Sequence, residues 1–173
     1  WLFVLSSAFN IIWLFAWQYE QLVISVVIMF LLLASLISIY LRLDIGRARA
    51  NLGERIAVHL PFSVYLGWIT IATIANVAAT LVSLGWDGFG ISSLVWAVLI
   101  ILIAVVIAIL VAFTRRDIAY ELVIVWAFIG IAVNQSSNAT IVAVTLAGAA
   151  VILIALVASI YFYRKRPMGK ISM

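Results

Sequence analysis

Apolar runs long enough to cross a lipid bilayer recur along almost the whole chain, and they leave it little choice of fold. They can be drawn at 1–17, 21–41, 60–84, 91–113, 118–133 and 139–163. A hydrocarbon core of about 30 Å takes roughly 20 helical residues, and most of the runs reach that length. Lipid supplies no water to peptide groups, so such runs must close their own N–H and C=O bonds as helices. The expected fold is all-α, a polytopic transmembrane helix bundle of about six helices forming one domain. With 68% hydrophobic and 9% charged residues among 173, the chain carries more apolar surface than a soluble core of this size could hide. The run at 1–17 is short. It begins at Trp1 with neither Met nor a basic leading region, so further residues are expected upstream. The run at 118–133 is short too, and Asp117 and Glu121 at its end extend a usable helix from about Arg116 to Asn134.

The charges sort the connections into two sets. Arg42, Arg47, Arg49 and Arg55 fall in the second connection and Arg115 and Arg116 in the fourth; Arg164, Lys165, Arg166 and Lys170 fall in the tail. The alternate connections hold no basic residue. Lys and Arg near helix ends resist translocation, so 42–59, 114–117 and the tail at 164–173 are expected in the cytoplasm. The formal charge of +4 therefore reflects topology and contact with anionic lipid. Nucleic acid is not an expected partner, because no basic patch is interleaved with exposed aromatics. The chain contains no Cys, which excludes thiol chemistry and disulfides. No nucleophile lies beside a base, no metal-ligand cluster forms and no Gly-rich phosphate loop appears, so no catalytic residue and no metal site is expected. The two sets of three helices enter from opposite sides, as an inverted-repeat transporter requires, yet no residue-level repeat or mid-membrane Gly or Pro break accompanies them. Pro61 is expected in the first turn of its helix, where a missing N–H costs nothing.

Within 60–84, Tyr65, Trp68, Ala72, Asn76, Thr80 and Ser83 form a polar and small stripe that should turn toward other helices. Asn10, Trp13 and Trp17 mark one side of the first helix, so a pocket is expected between 1–17 and 60–84. Small residues at intervals of four, Ala104-Ala108-Ala112 and Ala139-Ala143-Ala147, predict close helix approach.

The same two segments carry a family resemblance. FNIIWLFAW at 9–17 resembles the Asn-x-x-Trp element of the TspO/MBR family of tryptophan-rich sensory proteins, to which the translocator protein belongs. LPFSVYLGWITIATIAN at 60–76 resembles its last core helix, with an early Pro and then Trp68, Ala72 and Asn76. Across 1–165 the chain is similar to the larger bacterial branch, which adds helices after this core; the Trp-x-Pro-Pro-x-Trp stretch of the short members is not in it. The resemblance implies a bacterial cytoplasmic membrane protein whose ligands would be planar and hydrophobic: porphyrin, heme or another tetrapyrrole, or a lipid.

The candidate ligand-binding residues are Asn10, Trp13, Tyr65, Trp68, Asn76, Glu121 and Trp126, and each has a second reading. The tryptophans stack on a planar ligand or simply pack and sit at interfaces. The asparagines bond a ligand or bridge helices. Glu121, one turn deeper than Asp117, serves a proton or ligand, or pairs with Arg115 or Arg116. His59, the single His, would give at most one axial ligand to a heme or chlorophyll-type metal. Trp86 reads as interfacial belt. Asn134-Gln-Ser and Asn138-Ala-Thr fit the glycosylation pattern but lie close to the membrane. Two functions follow. One is a sensor, carrier or regulator binding a planar ligand; the other is a non-catalytic accessory subunit, held with other membrane subunits or as a homo-oligomer in a pigment- or heme-containing complex.

Overall fold

The computed structural model of the chain describes residues 1–164, so the basic tail beyond Arg164 lies outside them. Six helices carry the fold: α1 (Leu2–Gln18), α2 (Leu22–Arg42), α3 (Leu60–Ser83), α4 (Ser93–Thr114), α5 (Ile118–Asn134) and α6 (Ala139–Arg164). By length and composition α2, α3 with its entry turns, α4 and α6 can each cross a membrane, whereas α1 and α5 are shorter apolar helices.

Side-chain oxygens start several of these helices. Asn138 accepts from the Ile141 N–H at 3.2 Å at the head of α6. Asp117 accepts from the N–H groups of Ala119 and Tyr120 at 3.1 and 3.2 Å at the head of α5. Asn51 accepts from the Glu54 N–H and opens a short turn, Leu52–Glu54, which runs through a wide π turn, Arg55–His59, straight into α3. Pro61 keeps its expected place in the first turn of α3, but that helix does not begin from a loop. The helical run starts before it, and the widened turn sits where Pro61 has no N–H to offer the preceding carbonyls.

The helices pack in the order α1, α2, α3, α5, α6, α4. In the first three the second helix is central, touching both others; in the last three it is α6, so the two halves are not packed as copies of each other. Met29, Leu32 and Leu36 of α2, Ile69 of α3, Ile124 and Phe128 of α5 and Ile152 of α6 belong to one continuous buried cluster. Glycine permits the closest approaches. A Cβ on Gly67 would come 3.1 Å from the Val123 Cβ at the α3–α5 contact, and one on Gly148 would come 2.9 Å from both Phe128 and Val105. Ala104, Ala108 and Ala112 are buried, as their spacing predicts. Ala139, Ala143 and Ala147 are exposed, against expectation: α6 instead buries Ile141, Thr145, Gly148 and Ile152. A helix apolar on every side does not reveal its packed face by hydrophobicity.

Candidate ligand site

The end of the bundle opposite the basic loops is where α1, α2 and α3 part. A cavity of about 680 Å³ opens there, lined by Trp17 and Gln18 of α1, Glu20 in the turn, Leu22 of α2 and Ala79 and Ser83 of α3. That volume is in the range of small-molecule sites. Trp13 stacks on Trp17 with ring centroids 6.2 Å apart and 28° between planes, carrying the aromatic wall one helical turn deeper. Asn76 precedes Ala79 by three residues, about 4.5 Å down the same helix. It is 2% exposed, and its Oδ1 accepts from Ser25 Oγ at 3.0 Å, tying α3 to α2.

Beneath the cavity the hydrogen bonding is incomplete. Trp13 Nε1 and Asn76 Nδ2 are buried donors with no acceptor. Tyr65 Oη is a third unpartnered group, three turns below Asn76 and far from the opening. Each such group is destabilising by about 1–3 kcal/mol in a protein interior.

None of the seven residues expected at a site lines the cavity wall itself. Trp13 and Asn76 lie one turn below it, and Asn10 is half-buried on α1. Trp68 and Trp126 come together elsewhere, 5.7 Å apart on the outer surface of α3 and α5, and are 45% and 63% exposed. Helical geometry explains the separation: at about 100° per residue Trp68 lies about 80° around α3 from Asn76, while Tyr65 lies only about 20° from it. Trp86 clusters with Trp96 at 5.1 Å and Phe89 at 5.3 Å in the turn before α4, where Trp96 Nε1 donates to the Gly88 carbonyl at 2.9 Å.

The acids are disposed differently from the ion pairing considered above. Arg115 pairs with Asp44, and the Arg116 guanidinium lies 3.8 Å over the Tyr163 ring. Asp117 Oδ2 accepts from Tyr40 Oη at 2.9 Å and Ser63 Oγ at 2.5 Å, so one carboxylate joins α2, α3 and α5. Tyr120 Oη reaches Thr70 Oγ1 at 3.2 Å. Glu121 is 0% exposed, and both its oxygens lack partners. It sits on α5, which packs on α3 and α6, away from the cavity. His59 is buried at the basic end, 3.9 Å from Glu54. Sequence reasoning missed the Asp117 junction. Its one legible sign was an Asp immediately before a helical run, which is a capping signature.

No curated protein matches the chain, and no solved structure does. A family model described as TSPO-like protein matches residues 1–159, which takes in all of the first five helices and most of α6. The span includes both tryptophan-bearing segments that resemble the TspO/MBR core, and the helical bundle is the architecture of that family. The chain is an integral membrane protein and belongs to the TSPO-like family.

Proposed function

We propose that the chain binds a planar hydrophobic ligand of the tetrapyrrole kind in the cavity between α1, α2 and α3, as a sensor, carrier or regulator. One observation carries this reading: Trp13 Nε1 and Asn76 Nδ2 are buried without acceptors directly beneath an open cavity. A ligand carbonyl or carboxylate that reached down one turn would give both donors a partner, and the Trp13–Trp17 stack offers it a flat face. The role is one of binding, on the sequence argument against catalysis. By the positive-inside rule the basic loops lie in the cytoplasm and the cavity opens on the far side of a bacterial cytoplasmic membrane.

A second reading, an accessory subunit, is favoured by α4. Only 22% of its apolar window is buried, against 33% in α2, α3 and α6, so another membrane subunit or a second copy has a broad face to cover. An absorption spectrum with mass spectrometry of the protein purified in mild detergent separates the two. A tetrapyrrole bound to the isolated chain supports the ligand reading. A colourless chain that co-purifies in fixed stoichiometry with other subunits contradicts it.

A further inference from the structure

At the opposite, basic end, the first turns of α3 and α5 and the loop after α2 enclose a second cleft, of about 370 Å³. The loop after α2 reaches it through Gly46, which has φ +83° and lies against the Arg115 carbonyl so closely that a Cβ would collide with it. Two arginines, Arg55 and Arg116, line this cleft together with the buried His59. Among the described residues neither arginine has an acidic partner, in contrast to Arg115. Arg116 is nonetheless held in place: Tyr163 packs under its guanidinium, and its backbone takes φ +57°, a conformation non-glycine residues rarely adopt. The acid in the wall, Asp117, already accepts four hydrogen bonds from Tyr40, Ser63 and the N–H groups of α5, which spread its charge into the protein.

Apart from Ser63, the remaining side chains of the wall are apolar. Leu60 and Ile118 belong to it, and both are about half exposed on the outside of the bundle, where acyl chains run. We infer that this cleft is a specific site for an anionic phospholipid, its phosphate between Arg55 and Arg116 and its chains leaving over Leu60 and Ile118. The chemistry the arginines recognise is a phosphate oxyanion, which a free phosphate also carries. The apolar exit toward the bilayer is what selects the lipid. A basic pocket between helices at the inner face of a membrane is suited to such headgroups. This site is separate from the cavity under α1 and stands whether or not that cavity binds a tetrapyrrole.

The test is native mass spectrometry of the full chain released from nanodiscs of equal parts phosphatidylglycerol and phosphatidylcholine. The wild type should retain phosphatidylglycerol in clear excess over phosphatidylcholine. Arg55→Ala should lower that excess about 5-fold. Arg116→Ala should do the same, and Arg42→Ala, whose side chain is outside the cleft, should leave it unchanged. Arg55 is exposed and unpartnered, so its substitution does not threaten folding. Equal retention of the two lipids by the wild type, or an Arg55→Ala variant indistinguishable from it, would overturn the site. Loss of phosphatidylglycerol on adding millimolar inorganic phosphate would overturn the lipid as its occupant.

Discussion

Asp117 and the Trp13–Asn76 pair are buried in opposite ways, and Glu121, one turn along from Asp117, shares the unpaired condition of the pair. Near the basic loops Asp117 takes donors from α2, α3 and its own helix, and both of its oxygens are fully used. Beneath the cavity at the other end Trp13 and Asn76 each present an N–H with nothing to receive it. Both arrangements put polar atoms among apolar side chains, where an unpaired group is costly. A satisfied junction of that kind fixes how helices meet, whereas an unsatisfied one beside an open space has capacity left for another molecule. The contrast explains why Asp117, which the sequence did not single out as a site residue, anchors the fold, while two residues with a structural reading stand next to the cavity.

That contrast can be broken most forcefully at the Asp117 junction. Asp117→Ala removes a helix cap and leaves Tyr40 and Ser63 hydroxyls buried without an acceptor, so a loss of about 3 kcal/mol is expected in detergent unfolding followed by circular dichroism. A loss below about 1 kcal/mol would mean the junction does not hold the helices. Gly148→Ala comes next: its new Cβ would meet Phe128 and Val105, and overpacking should be destabilising by about 1–3 kcal/mol. Gly130→Ala on α5 is the control, since a Cβ there meets nothing; it should be neutral or stabilise by up to about 1 kcal/mol. Beneath the cavity the stability effect should be smaller. Asn76→Leu removes an orphan donor along with the Ser25 contact, two changes of opposite sign, and should move stability by under about 1 kcal/mol. A much larger loss would show that Asn76 is a structural bridge after all. The outer aromatic pair should act only through its own ring contact, and a double-mutant cycle of Trp68→Ala and Trp126→Ala should give a coupling of no more than about 0.5 kcal/mol, the low end for an aromatic pair.

The six helices were legible because each is an apolar run bounded by charged or turn residues, and lipid enforces helix on such a run. The way into α3 was not. Residues 52–59 read as polar loop, and only Asn51 three residues before Glu54 hinted at a helix start. Which face of a helix packs was legible where small residues had bulky neighbours to contrast with, as at Ala104, Ala108 and Ala112. On α6, apolar throughout, the Ala139-Ala143-Ala147 stripe pointed to the wrong side, and Gly148 was the better guide. At the site, Trp13 and Asn76 were found from their helical spacing and from the family resemblance. Trp17 was seen as part of that same side of α1 but was not counted among the binding residues, although it lines the cavity. Trp68 was placed in the stripe by its spacing of four from Ala72, and the rotation accumulated over the eight residues to Asn76 takes it out to the bundle surface beside Trp126.

Binding at the cavity end is the property to measure first. Quenching of tryptophan fluorescence by protoporphyrin IX, titrated into the detergent-solubilised chain and its variants, measures it directly. Asn76→Leu should weaken binding about 10-fold, the equivalent of one lost hydrogen bond to a charged acceptor, and Trp68→Phe should leave the affinity unchanged. If Trp68→Phe weakens binding as much as Asn76→Leu does, or if neither changes it, the ligand does not sit between α1, α2 and α3.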